Sequence, residues 1–96
     1  MELRTLRYFL AVAREENMTE AANVLHVTQP TLSRQIADLE RELGVDLFER
    51  TNRSCVLTGD GMRLRQRAEE IVSLVEQTEA ELADQELGIA GPIRIG

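Results

Sequence analysis

The chain has 96 residues with a formal net charge of −6 and 3% aromatic residues, which suits one small domain with an appendage. No apolar run is long enough to span a membrane, and no signal peptide is apparent, so a cytoplasmic protein is the default expectation. The single cysteine excludes an internal disulfide. With one histidine and no lysine, the chain has no catalytic set, so no enzyme, cofactor or metal site is expected.

The negative charge is concentrated in the last third of the chain. Residues 1–67 contain ten arginines and ten carboxylates, whereas residues 68–96 contain one arginine and seven carboxylates. Arginine suits bidentate contacts to guanine edges and phosphates. Nucleic-acid binding by the first two thirds therefore remains open, although long-range attraction to DNA should be weak.

Two helices and a turn are predicted first. Apolar residues at helical spacing predict a helix from Leu3 to Glu15. A shorter helix follows from about Thr19 to Leu25, with Asn17 and Thr19 as alternative N-caps. Residues 26–28 then form a tight turn, since His26 belongs to the residue types that tolerate a left-handed backbone. Because the chain has no second histidine, a turn or packing role for His26 is favoured over a pH switch or a metal ligand.

The third predicted helix begins at the N-cap Thr28 and closes at Gly44. Its apolar residues recur at steps of four, three and four, which places them on one face. They are Leu32, Ile36, Leu39 and Leu43. Pro30 fits the first turn, where a missing backbone N–H costs little.

The outward edge of this helix begins with residues suited to base edges. The Gln29 amide matches adenine N6/N7, and the Arg34 guanidinium matches guanine O6/N7 or a phosphate. Thr31 and Ser33 supply short hydroxyls, and the Thr28 end presents backbone N–H groups to a phosphate. The alternative is an ordinary polar helix face.

Acidic residues then fill the second half of the same helix, at positions 38, 40 and 42. Negative charge there would repel the DNA backbone, so we expect the helix to enter a groove with its N-terminus first.

A β-hairpin is predicted after this helix, with strands at Val45–Thr51 and Cys55–Leu57 and a turn at residues 52–54. A hairpin behind a recognition-type helix is a wing. Arg53 at its tip is favoured for minor-groove or phosphate contact, whereas Arg50 is balanced between DNA contact and solvation. Cys55 is favoured as a packed strand residue over a redox sensor.

A long fourth helix is predicted over residues 59–87, with Thr58 as its N-cap and a length of roughly 43 Å. Its apolar positions form a heptad seam that needs a partner, which predicts a homodimer. The seam consists of Leu64, Ala68, Ile71, Val75, Thr78 and Leu82. Arg63 and Arg67 either pair with the acids of this helix or touch phosphate.

Residues 88–96 change in composition. Two glycines and a proline end the helix and form a hinge. Residues 93–95 then predict a strand with no partner in the sequence. We therefore expect a further domain that begins at this strand.

The sequence resembles the N-terminal part of LysR-type transcriptional regulators over its whole length. The matching segments include Leu6–Phe9, Ala21-Ala22, Gln29-Pro30, Leu32–Ile36, Glu42–Gly44, Leu47–Arg50, Leu57-Thr58 and Ile93–Gly96. The resemblance implies a mainly α fold: a winged helix-turn-helix of three helices and a two-stranded β wing, followed by a long dimerisation helix.

The resemblance also implies partners and contacts. It implies double-stranded DNA with an interrupted palindrome, a dimer through antiparallel linker helices, tetramers of the intact protein and a small-molecule effector bound by a C-terminal domain. The DNA contacts that it implies are Gln29, Pro30, Thr31, Ser33, Arg34 and Arg53.

The sequence thus predicts three parts: a DNA-binding domain at residues 1–58, a linker and dimerisation helix at 59–87, and a hinge with the first strand of an effector-binding domain at 88–96. A helix-turn-helix kept only as a protein-interaction module is the alternative. Gln29 and Arg34 argue against it, because such a module does not need them on its outward edge.

Overall fold

The computed structural model describes the backbone of residues 1–88 and the side chains of residues 1–83. The predicted mainly helical fold is confirmed. Its elements are α1 (Leu3–Glu15), α2 (Met18–Leu25), α3 (Gln29–Leu43), β1 (Phe48–Arg50), β2 (Cys55–Leu57) and α4 (Gly59–Gly88). The predicted hinge beyond Gly88 and the strand at 93–95 lie outside the described residues.

Local capping chemistry sets the ends of the first two helices. The Asn17 Oδ1 accepts a hydrogen bond from the Glu20 N–H at 2.8 Å, so Asn17 rather than Thr19 is the N-cap and α2 begins at Met18. His26 has φ 61° and ends α2, which confirms the predicted turn.

Helix α3 has the predicted caps and a shorter buried face than predicted. The Thr28 Oγ1 accepts from the Thr31 N–H at 3.3 Å, and Gly44 closes the helix at φ 74°. Leu32, Ile36 and Leu39 are fully buried. Leu43 was predicted to join them but is 38% exposed, because the last turn of α3 extends past the core.

The core forms where α1, α2 and α3 meet. Phe9 and Val12 of α1 are completely buried, and so is Ala21 of α2, whose small side chain lets the helices approach closely. The Phe48 ring lies 5.4 Å from the Phe9 ring, centroid to centroid, which anchors the hairpin on the helices.

The two-stranded hairpin is antiparallel, with Phe48 opposite Leu57 and Arg50 opposite Cys55. The first strand is shorter than the predicted Val45–Thr51. The reason is that the backbone N–H of Leu47 donates to the Glu40 Oε2 at 2.8 Å rather than to a neighbouring strand. A side chain of α3 therefore fixes the entry into the hairpin.

Helix α4 is joined to the hairpin at Thr58 and lies against α1. The Thr58 Oγ1 accepts from the Gly61 N–H at 3.0 Å, as an N-cap does, and donates to the Asp46 carbonyl. Ala68 is completely buried, and an ion pair of 2.9 Å joins Arg7 of α1 to Glu76. None of the helices within residues 1–88 is long and apolar enough to cross a membrane.

The packing of α4 removes Ala68 from the predicted dimerisation seam, and the rest of the seam stays a prediction. Ala68 has no exposed surface left for a partner, since it packs against its own domain. Leu64 and Val75 are half-buried, and Leu64 packs on the core. Beyond the first turn of α4 and up to residue 83, the exposed large apolar side chains are Ile71, Leu74 and Leu82, at 38%, 62% and 60%. A heptad period cannot distinguish contacts within the chain from contacts with a partner, which is why the predicted seam included Ala68.

Two glycines in the first turn of α4 provide a matched test of this junction. A Cβ at position 61 would lie 2.2 Å from the Leu47 carbonyl oxygen, whereas a Cβ at position 59 meets nothing within 4 Å. We expect Gly61→Ala to lower the free energy of unfolding by about 1–3 kcal/mol through overpacking. Gly59→Ala should be neutral or stabilising by up to about 1 kcal/mol. Urea unfolding of the two variants measures both values, and equal stabilities would contradict the packing of Gly61.

Candidate nucleic-acid interface

A cleft of about 230 Å³ lies between the starts of α2 and α3 and the wing, which is the hairpin at residues 48–57 with its turn. It brings together four of the eight residues predicted to contact DNA: Gln29, Ser33, Arg50 and Arg53. The other four, Thr28, Pro30, Thr31 and Arg34, do not line the cleft but lie on the same first two turns of α3.

Gln29 and Ser33 are positioned by each other. The Gln29 Nε2 donates to the Ser33 Oγ at 2.9 Å, one helical turn away. This bond orients the amide along the outward edge of α3. The amide group has a second N–H and a carbonyl oxygen, which is the donor and acceptor pair that an adenine edge requires.

The hydroxyls of Thr28 and Thr31 hydrogen-bond to each other at the N-terminus of α3. The Thr28 Oγ1 donates to the Thr31 Oγ1 at 2.8 Å while accepting from the Thr31 N–H. The Thr31 hydroxyl keeps its own proton, which it can donate to a phosphate. Pro30, between them, is exposed.

Ion pairing separates the arginines into two groups. Seven of them pair with carboxylates: Arg4, Arg7, Arg14, Arg41, Arg50, Arg63 and Arg67. Within the part of the chain that the structure describes, Arg34, Arg53 and Arg65 form no ion pair and are exposed. Arg65 lies on α4, whereas Arg34 on α3 and Arg53 on the wing lie on the two elements that meet at the cleft, where they are available to an anionic ligand.

Arg50 has a structural partner that sequence reasoning missed. Its Nη2 lies 3.4 Å from the Glu40 Oε1, and the Glu40 side chain is only 16% exposed. The other carboxylate oxygen accepts from the N–H groups of Leu47 and Phe48, at 2.8 and 3.3 Å. Glu40 therefore ties α3 to the hairpin, and Arg50 supplies the countercharge. The signal in the sequence was weak, because Glu40 there was one of three similar acids.

The second half of α3 is unsuited to a polyanion. Asp38 is exposed and pairs with Arg41 at 2.8 Å, and Glu42 pairs with the N-terminal amine of Met1. Because Arg41 and the N-terminal amine are paired with carboxylates, neither positive charge is free to meet a phosphate. Arg63 and Arg67 of α4 also pair within their own helix, with Asp60 at 3.4 Å and Glu70 at 3.0 Å.

The thiol of Cys55, at the start of β2 in the wing, is buried. Burial raises the pKa of Cys55, and this outweighs the nearby guanidinium of Arg50, which lowers it. A raised pKa disfavours the thiolate that redox chemistry needs. The packing role expected for this cysteine is therefore the better description.

Residues 3–62 match the sequence profile described as bacterial regulatory helix-turn-helix protein, lysR family. The match covers more than half of the chain. The chain belongs to the LysR family. The resemblance found in the sequence is thereby confirmed, and its matched part is a helix-turn-helix of transcription regulators rather than an enzyme.

Curated relatives of this LysR-family chain are full-length regulators. The transcriptional regulator BsdA of Bacillus subtilis is 41% identical over 97 residues, and BenM of Acinetobacter baylyi is 44% identical over 96 residues. Each alignment covers 100% of this chain and 33% or 31% of the relative. The chain thus spans about a third of the length of the curated relatives it matches.

Solved structures of LysR regulators share the fold closely. The BenM DNA-binding domain in complex with catB site 1 DNA is 44% identical with a TM-score of 0.87, over 92% of this chain and 95% of that chain. The CbnR DNA-binding domain in a DNA complex is 41% identical with a TM-score of 0.85, over 90% of this chain and 99% of that chain. Full-length CbnR in complex with its target DNA is 42% identical with a TM-score of 0.82, over 88% of this chain and 29% of that chain.

Proposed function

We propose that residues 1–58 form the sequence-specific DNA-binding domain of a transcription regulator that acts as a homodimer on an interrupted palindrome. The observation that carries this proposal is the pair of exposed, unpaired guanidiniums, Arg34 and Arg53, on two elements that meet at one cleft. The proposal is supported by the BenM and CbnR structures, which are described as complexes of those proteins with DNA.

The start of α3 is the part that enters the major groove. Gln29, Ser33 and Arg34 have the chemistry of base-edge contacts, and the N-terminal end of the helix favours phosphate. The acidic second half cannot follow the groove without meeting phosphates. About two helical turns of α3 therefore contact the bases, between Thr28 and Arg34.

The wing lies across the adjacent minor groove in this arrangement. Arg53 is exposed at its tip, and an unpaired guanidinium suits the enhanced negative potential of a narrow minor groove. Arg50, which is paired with Glu40, is expected to hold the hairpin and at most to approach a phosphate.

The dimer forms through α4. Its exposed apolar stripe consists of Ile71, Leu74 and Leu82. At 100° per residue, Arg63 and Arg67 flank this stripe in the first half of the helix, and Glu81 flanks it in the second half. An antiparallel pair of α4 helices places the basic half of one copy beside the acidic half of the other. The existing ion pairs within α4 are weak surface pairs, so they can exchange for contacts between copies.

The whole protein has, in this proposal, a second domain and a higher oligomeric state. We propose a cytoplasmic regulator, with an effector-binding domain following residue 88 and a small molecule that binds there. Tetramers of the intact protein would place two DNA-binding pairs on one control region. The relatives' lengths support a second domain, since this chain matches only about a third of each relative.

A mobility-shift experiment with the DNA upstream of the protein's own gene tests the proposed function. We expect the chain to shift this duplex and to lose affinity steeply as salt is raised, because binding releases counterions from phosphates. Absence of a shift at low salt from a folded dimer would overturn the proposal in favour of a protein-interaction module.

Arg34→Ala distinguishes base contact from phosphate contact. If Arg34 reads a base, the substitution costs about 1–3 kcal/mol on the specific site and much less on random DNA. Fluorescence anisotropy on both duplexes measures the difference. Arg41→Ala is the matched control, since Arg41 is exposed on the second half of the same helix, and it should leave specific binding unchanged. An equal loss on both duplexes would assign Arg34 to phosphate.

Leu74→Asp tests the exposed stripe of α4. Because Leu74 is 62% exposed in the single chain, the domain should stay folded while the buried carboxylate disrupts the pair of helices. Sedimentation should then give the mass of a monomer, and affinity for the palindrome should fall. Ser73→Asp adds the same charge about 100° around the helix and should remain dimeric. A dimeric Leu74→Asp would show that the helices pair through another face.

A further inference from the structure

Two adjacent residues of the link between α1 and α2, Glu16 and Asn17, hydrogen-bond to the wing. The Glu16 carbonyl accepts from the Cys55 N–H at 3.0 Å, and the Asn17 Nδ2 donates to the Arg53 carbonyl at 3.2 Å. The first bond holds the start of β2. The second holds the turn itself, at the residue whose side chain is proposed to meet DNA.

The turn of the wing is also ordered from within. The Thr51 Oγ1 accepts from the N–H groups of Arg53 and Ser54, at 3.3 and 3.1 Å, and the Thr51 N–H donates to the Ser54 carbonyl at 2.9 Å. These bonds fix the shape of the turn but not its place over the cleft. Among the described residues, Asn17 is the one outside the wing whose side chain hydrogen-bonds to the turn.

The oxygen and the nitrogen of the Asn17 side-chain amide contact different elements. The Oδ1 caps α2 by accepting from the Glu20 N–H at 2.8 Å, and the Nδ2 reaches the Arg53 carbonyl. A residue that offers only a short oxygen can cap the helix. It has no second group to reach the wing. The side chain of Asn17 thus joins the helix-turn-helix to the wing beyond what capping requires.

We propose that Asn17 is a positioning residue for the wing: it holds the backbone of Arg53 so that the guanidinium is presented beside the start of α3. This inference rests on the proposed function. Strands of three residues give the hairpin little stability of its own, and its tip at residues 51–53 is exposed. A tip that is already in place loses less conformational freedom when it binds DNA. Asn17 acts through Arg53 and does not itself contact DNA.

Asn17→Ser separates the two roles of the amide. Serine keeps the N-cap, so α2 should form and thermal unfolding should change little. Its hydroxyl is too short to cap the helix and reach the Arg53 carbonyl together. Arg53→Ala removes the guanidinium while keeping the backbone carbonyl that Asn17 contacts. The double variant then shows whether the two substitutions act through one path.

The first measurement is affinity for the specific duplex. Arg53→Ala should weaken binding about tenfold, and Asn17→Ser about three- to tenfold. In the Arg53→Ala background, Asn17→Ser should cause no further loss, because the guanidinium that it positions is gone. Equal losses in both backgrounds would overturn the proposal, and so would an Arg53→Ala variant that binds as the wild type does.

The second measurement needs no DNA. Backbone ¹⁵N relaxation of residues 51–54 should show lower order parameters in Asn17→Ser than in the wild type, while residues 18–25 keep theirs. The two proposals therefore fail separately. A folded wild-type dimer that binds no duplex overturns the proposed function, and unchanged relaxation at residues 51–54 in Asn17→Ser overturns the role of Asn17.

Discussion

The burial of one face of α3 is the constraint on which the other features depend. Leu32, Ile36 and Leu39 are almost completely removed from solvent, and their spacing allows only one rotation of the helix about its axis. That rotation turns Arg34 outward, whereas Gln29 is exposed because it precedes the first buried residue of the helix. Since the apolar face begins at Leu32, the first turn projects past the core, where a groove can receive it. Burial and exposure on one short helix are therefore two consequences of one periodic pattern.

Hydrogen bonds connect α3 to the wing, and the wing to α4. The Glu40 carboxylate fixes the entry into the wing, and Thr58 joins the end of the wing to α4 through the Asp46 carbonyl and the Gly61 N–H. Ala68 is buried in the core, and α4 packs on α1. The start of α3 and the exposed stripe of α4 are thus linked through packed, hydrogen-bonded structure. A dimer through α4 consequently sets the distance between two copies of α3, which is what a palindrome requires.

The sequence predicted local features well and long-range ones less well. The ends of α3 followed from Thr28 and Gly44, because caps are decided within a few residues, and Asn17 was one of the two N-caps predicted for α2. The wing was predicted from the turn at residues 52–54 between two short strands. Ala68 was assigned to a partner because periodicity records an apolar face without naming its neighbour. The roles of Glu40 and Asn17 were missed for a similar reason: each carries a second contact to the wing, which only the folded chain brings within reach.

The central claim is that the first two turns of α3 and the tip of the wing form the DNA-contacting surface. Amide chemical-shift mapping of the ¹⁵N-labelled chain, titrated with the specific duplex, tests it most directly. We expect the largest shifts at residues 28–34 and 51–54 and small ones at 38–43. The largest shifts at the second half of α3, or along α4 alone, would contradict this account.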